Sequence, residues 1–189
     1  MQGNPEEPRL ELAAAISESG GQSFRFVVES ELTVRAHDLP PTRGTCSGMI
    51  DPDAGTGYMR SGELNEHWAV DGIRYQRMGK QRNTLGPGDV SRFIVCHVGR
   101  VDEPGFVAAD PASLLRDLSG QATIQKINPS TYAFTGTDIT GTVTVSDGLV
   151  SSLTSTVDSP ARGDMPAYHR TVTMTLSGYG EPVQVRAPW

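Results

Sequence analysis

The sequence has little sulfur chemistry to offer. Its 189 residues include two cysteines, Cys46 and Cys96, with no CxxC and no histidine at ligand spacing. A disulfide scaffold, a zinc site and thioredoxin-type chemistry are therefore excluded as organising features. No apolar run reaches the roughly 18 residues that a membrane-spanning helix needs. Basic residues are in the minority, with 16 Lys and Arg against 22 Asp and Glu, a net charge of -6 and a pI near 5.2. Nucleic acid is thereby set aside as a partner, because phosphate binding needs a basic stripe. Catalytic signatures are missing too. P-loop, HExxH and GxGxxG patterns do not occur. Gly44-Thr45-Cys46-Ser47-Gly48 puts a cysteine where a GxSxG elbow needs its serine. Asp51-Pro52-Asp53-Ala54-Gly55 opens like a calcium loop but places Gly62 where the twelfth-position Glu must stand, so it reads as an Asx-type turn. The histidines, His37, His67, His97 and His169, fall on four different elements and are assigned structural roles. No metal and no cofactor is expected.

What is present is alternation. From Phe24 the even positions run Phe24, Phe26, Val28, Ser30, Leu32, Val34, Ala36, and the odd ones Arg25, Val27, Glu29, Glu31, Thr33, Arg35. Such a period of two predicts one long strand with a buried and a wet face, longer than the usual ~5–6 residues and suited to a strongly bent sheet. Before it, Pro8 and the acidic Glu6 and Glu7 mark a helix start. Leu12 and Ile16 share a face there with Ala13 and Ala15, and Gly20-Gly21 is the stop. Further strands are predicted at 45–50, 56–60, 66–70, 73–77, 92–98, 122–127, 131–136, 140–146, 149–157 and 168–177. Asp71-Gly72 and Asp147-Gly148 are hairpin turns, since both central residues must adopt positive φ. Residues 79–91 and 158–167 read as loops. Asp110-Pro111 opens a second helix, with Leu114, Leu115 and Leu118 as its apolar stripe. The tail from Gly178 to Trp189 reads as extended along an edge. Two helices and about ten strands without a βαβ rhythm give an α+β fold, an antiparallel meander covered by helices.

The order of these elements resembles a known family. An Ala-rich helix, Leu12-Ala13-Ala14-Ala15, leads into the long strand. Val70-Asp71-Gly72-Ile73-Arg74-Tyr75 follows, then Asp110-Pro111-Ala112-Ser113-Leu114-Leu115, then Val145-Ser146-Asp147-Gly148-Leu149-Val150. The close is Gly178-Tyr179-Gly180-Glu181-Pro182-Val183-Gln184-Val185-Arg186-Ala187-Pro188. The succession is similar to the LppX/LprAFG-type lipoproteins of actinobacteria, which share the LolA-like half-barrel. That resemblance implies a single domain over 8–189 behind a linker remnant at 1–7. It implies a strongly curved antiparallel half-barrel, with about two helices over its concave face. It also implies an extracytoplasmic place in the cell envelope and a lipid anchor upstream of this chain, which would carry any membrane association.

The function implied is non-catalytic carriage or sensing of an apolar, acylated or amphipathic small molecule; no protein partner is indicated. The alternatives are a cyclase-like biosynthetic enzyme using the same cavity, or an interaction module with no small ligand. The residues expected to line the cavity are Phe24, Phe26, Val28, Leu32 and Val34, with Trp68 and Tyr75 from the hairpin and Leu114, Leu115 and Leu118 from the second helix. Export would also favour a Cys46–Cys96 disulfide, whose ~50-residue loop is worth roughly 4 kcal/mol in the chain-entropy model. Two buried thiols are the alternative.

Overall fold

The computed structural model describes residues 6–35, 40–88, 123–163 and 166–189 in full, and the backbone of two short strands at 95–97 and 106–108. The helix α1 spans Glu7–Gly20 with Pro8 in its first turn. The strands are β1 (Phe24–Val34), β2 (Thr42–Asp51), β3 (Thr56–Ser61), β4 (Asn65–Val70), β5 (Ile73–Met78), β6 (Gln81–Pro87), β7 (Val95–His97) and β8 (Phe106–Ala108). They continue as β9 (Thr123–Asn128), β10 (Thr131–Thr135), β11 (Ile139–Ser146), β12 (Leu149–Ser159) and β13 (Tyr168–Ser177).

Eleven strands form one sheet in the order β6-β5-β4-β3-β2-β1-β13-β12-β11-β10-β9, while β7 and β8 pair separately. Every neighbour is antiparallel. The architecture is thus two meanders, β2–β6 and β9–β13, joined through the central pair β1–β13, and the sheet stays open at β6 and β9. It is an open antiparallel α+β arrangement of the kind expected from the sequence, with one helix among the described residues. Both Asp-Gly turns form as expected. Asp71 and Gly72 have φ of 50° and 74°, and Asp147 and Gly148 have 53° and 79°, the pairing that a two-residue turn of this twist demands. Asp51 Oδ1 accepts the Ala54 N–H at 2.9 Å, an Asx turn.

The long strand behaves as its alternation requires. Phe24, Phe26, Val28 and Leu32 are buried on one face, with Arg25, Val27 and Glu29 exposed on the other. The buried set continues through β13 (Val172, Met174, Leu176) and β12 (Val150, Leu153), then to Val143 and Phe134. Helix α1 lies over β9 and β12 and adds Leu12, Ala15 and Ser19, at i, i+3 and i+7. Ala13, expected on that face, is exposed.

Two other expectations are corrected, and a third lies outside the described residues. The stretch 79–91 contains a strand, β6, which pairs with β5 from Gln81 to Pro87. Its side chains are almost all exposed, so an edge strand held by main-chain bonds carries no apolar period to read. The tail is not extended along an edge. It leaves β13 by a turn in which the Gly180 N–H donates to the Ser23 carbonyl at 3.0 Å. From there it runs across the sheet until Trp189 meets Trp68, Tyr75 and Thr84 of β4, β5 and β6. The expected second helix, with Leu114, Leu115 and Leu118, falls on residues outside those described.

Candidate functional site

Cross-strand register decides which side chains share a face. Starting from Phe26, the inner face runs through Val28, Ser30, Leu32 and Val34 on β1. It takes in Cys46 and Ile50 on β2, Met59 and Ser61 on β3, and His67 and Ala69 on β4. On the other side of β1 it includes Arg170, Val172 and Met174 of β13, then Leu153, Ser155 and Val157 of β12. Two glycines let aromatic rings lie flat across neighbouring strands. A Cβ on Gly48 would fall 2.7 Å from the Phe26 ring, and one on Gly141 would fall 2.4 Å from the Phe134 ring. Glycines facing rings in this way allow the close approach that sharp sheet curvature requires.

Burial is graded along this face. At the end formed by Phe24, Ile50, Val150 and Leu176 the side chains are fully enclosed. Tyr179 helps seal that end: its ring lies 6.0 Å from Phe24, and its hydroxyl donates to the Val150 carbonyl at 2.6 Å. Burial pushes the Tyr179 phenol above its ordinary value, with a hydrogen bond to Ser19 opposing. At the opposite end Val34, Ile139, Val157, Tyr168 and Arg170 are only half-buried. Ser30 and Ser155 stand towards that end, Ser61 stands level with Val28, and His67 stands level with Phe26 nearer the closed end. Ser30, Ser61, Ser155 and His67 are buried, and among the described residues Ser30 Oγ and Arg170 Nε are buried without a hydrogen-bond partner. Desolvation lowers the Arg170 guanidinium from its ordinary value, with Tyr168 opposing weakly.

No protein-family model and no curated protein sequence matches the chain. Among solved structures similar in fold, three are compared. LprF from Mycobacterium bovis is 16% identical, over 98% of this chain and 99% of that one, with a TM-score of 0.46. A LolA superfamily protein from Nitrosomonas europaea is 10% identical, over 91% and 92%, with a TM-score of 0.38. A DUF1329 family protein from Desulfovibrio piger is 8% identical, over 96% and 95%, with a TM-score of 0.31. The first two carry the names of the groups that the order of sequence elements resembles.

Of the residues expected to line a cavity, the structure brings together Phe24, Phe26, Val28 and Leu32, with Val34 half-buried beside them. Trp68 and Tyr75 lie elsewhere, and this corrects their expected placement. Register runs Arg25–Met49–Tyr58–Trp68–Tyr75 across β1 to β5, so both rings share the outer face with Arg25. There they pack with the tail: Trp68 and Tyr75 are 5.9 and 5.8 Å from Trp189, and Tyr58 is 5.6 Å from Trp68. Arg77 and Arg82 sit over Trp68 and Trp189 at 5.9 and 5.7 Å, within the range of cation–π attraction. Cys46 is buried on the inner face. The backbone of β7 approaches β2, with Cα atoms within 8 Å, but the Cys96 side chain lies outside the described residues and so does its pairing.

The outer face has a groove of its own, about 250 Å³, bordered by Glu29, Glu31, Arg43, Thr45, Thr171 and Thr173. Glu31 is committed to Arg43, whose Nε donates to it at 2.7 Å. Sequence reasoning missed Arg170. It stands in a Thr-rich strand as one more polar residue, and only the parity of β13 against Leu32 turns it inward.

Proposed function

We propose that this chain binds an apolar or amphipathic small molecule on the inner face of its open sheet and acts as a non-catalytic carrier or sensor outside the cytoplasm. The observation that carries this reading is the grading of the inner face. A continuous apolar surface, sealed at the Phe24–Tyr179 end, becomes accessible and more polar at the end marked by Val34, Val157 and Arg170. Binding sites for small molecules combine a concave apolar wall with a few placed polar groups in this manner. Among the described residues no helix is long and apolar enough to cross a membrane. Residence at a membrane surface would, in this reading, come from a lipid anchor.

The test is native mass spectrometry of protein purified from cells, followed by solvent extraction of whatever co-purifies. An acylated or otherwise apolar species is expected. Val28→Glu, which puts a carboxylate on the inner face, should abolish it, and Glu29→Arg on the outer face should not. Absence of any bound species, together with no binding of fluorescent acyl probes, would overturn the carrier reading and favour an interaction module.

A further inference from the structure

Arg170 is a cation in an apolar frame. Its direct cross-strand neighbours are Leu32 on β1 and Val157 on β12, and Val172 is the next inward residue on its own strand. Ser30 stands diagonally across from it, since Ser30 pairs with Val172, and diagonal neighbours on one face lie within reach of long side chains. Ser30 is only 7% exposed, and neither its Oγ nor Arg170 Nε has a hydrogen-bond partner among the described residues.

The carboxylates of these strands are unavailable to Arg170. Glu29, Glu31 and Asp158 alternate onto the outer face. There Glu31 holds Arg43, and Asp158 accepts both Arg35 Nη2 at 2.5 Å and His169 Nδ1 at 2.9 Å. A half-buried guanidinium whose Nε is enclosed, with no counter-charge among the described residues, is unfavourable. A neighbouring buried hydroxyl without a partner adds to that cost. Both deficits are met by one group that is anionic and accepts several hydrogen bonds.

We infer that Arg170, assisted by Ser30, is the recognition point for the anionic end of the ligand, a carboxylate or phosphate carried on a hydrocarbon. The apolar neighbours Leu32, Val157 and Val172 select an amphiphile over a free inorganic anion. Arginine suits this task because its planar fork matches both oxyanions. The inference rests on the proposed binding of an apolar or amphipathic molecule and adds the chemical class of its head.

The experiment uses the delipidated full chain and four probes: dodecanoate, dodecyl phosphate, neutral 1-monolauroylglycerol and inorganic phosphate. Titration calorimetry should show the two anionic amphiphiles binding more tightly than the neutral one. Arg170→Met should weaken the anionic probes about ten- to hundredfold, the loss of a charge-assisted hydrogen bond. It should leave monolauroylglycerol unchanged. Arg170→Lys should keep part of the preference and Ser30→Ala should reduce it mildly. Without ligand, Arg170→Met should melt at the same temperature as the parent or higher, because it removes a half-buried charge that has no counter-charge among the described residues.

Equal binding of anionic and neutral amphiphiles would overturn the anion site and leave the carrier reading standing. Binding of inorganic phosphate as tight as that of dodecyl phosphate would overturn the amphiphile assignment. A lower melting temperature for Arg170→Met would show a protein partner for the cation and overturn the inference. Failure of every amphiphile to bind the parent chain would remove the carrier reading and this inference with it.

Discussion

Gly141 lies directly across from Phe134 in the β10–β11 pair, and a Cβ there would stand 2.1 Å from the Thr154 carbonyl oxygen. Backbone cannot yield as a flexible side chain can, so even one methyl group must displace β12 or the ring. Gly141→Ala should therefore destabilise by about 1–3 kcal/mol, in the range of overpacked cores. Gly48→Ala should behave alike, since its Cβ would be 2.1 Å from the Tyr58 oxygen. Gly148→Ala meets nothing within 4 Å, and its cost is confined to its positive φ. Urea unfolding of the three variants separates the effects. A Gly141→Ala midpoint equal to that of the parent would refute the close-approach account. None of this was legible in the sequence: a glycine inside a strand pattern announces a close approach without saying to what. Trp68 shows the same limit. Its alternation with His67 and Ala69 was readable. Which parity faces inward was not, because that follows from register through three strands back to Arg25.

At the scale of elements, α1 is tied to the sheet by one buried hydroxyl. Ser19 Oγ donates to the Ala15 carbonyl at 2.6 Å and accepts the Val150 N–H at 2.8 Å. Ser19→Ala leaves that N–H without its partner and should cost about 1–3 kcal/mol. Ser17→Ala, at an exposed position, should change little. Thermal denaturation of both variants checks this, and similar losses at the two sites would count against the bond. The tail is the second tie. It is fastened at its start by Ser23 Oγ donating to the Glu181 carbonyl at 2.7 Å and by the Arg25–Glu181 pair at 3.0 Å. At its far end the Trp189 ring stands against Trp68 and Tyr75. Removing Trp189 should cost about 1–3 kcal/mol, the sum of two aromatic pairs, and should shift the emission of Trp68 to the red as water reaches it. Unchanged Trp68 emission would show that the strap does not shield the outer face.

Elements were more legible than faces. The long strand, both Asp-Gly hairpins and the run of strands from β9 to β13 follow from alternation and turn chemistry, which are local. Strand β6 and the path of the tail were hidden because neighbours elsewhere in the chain determine them. The half of the site on the inner face of β1 was readable from its period. Arg170 was not, since its meaning depends on lying between Leu32 and Val157, residues far away in sequence.

For the molecule as a whole, charged clusters tie the helix to β9 and β10, and the end of β1 to β12 and β13, and they set a pH window for stability. Glu11 of α1 accepts Lys126 Nζ of β9 at 2.5 Å and the Tyr132 hydroxyl of β10 at 2.7 Å. The Lys126 hydrogen bond, followed by that of Tyr132, holds the Glu11 carboxyl below its ordinary 4.5. Asp158 lies below its ordinary 3.8, first through His169 and then with help from Arg35. A carboxylate whose folded pKa is depressed contributes stability above its unfolded pKa and loses it as pH falls through the folded value. The acid limb should thus begin near pH 4.5 and continue below it. The alkaline limb has the opposite sign. The Glu11 hydrogen bond raises Lys126 above 10.5, and burial followed by the Glu11 bond raises Tyr132 above 10.0. Groups with raised folded values contribute below the unfolded pKa and lose that contribution as pH rises through the folded one. Both limbs meet at Glu11, which separates this cluster from a general charge effect. Glu11→Gln should flatten the acid limb between pH 5 and 3 and bring the alkaline loss to lower pH. Glu29→Gln, on the outer face, should move neither. Melting temperatures of the three proteins from pH 3 to 11 decide the matter. A Glu11→Gln curve parallel to the parent at both ends would show that the helix-to-sheet cluster does not govern the pH response.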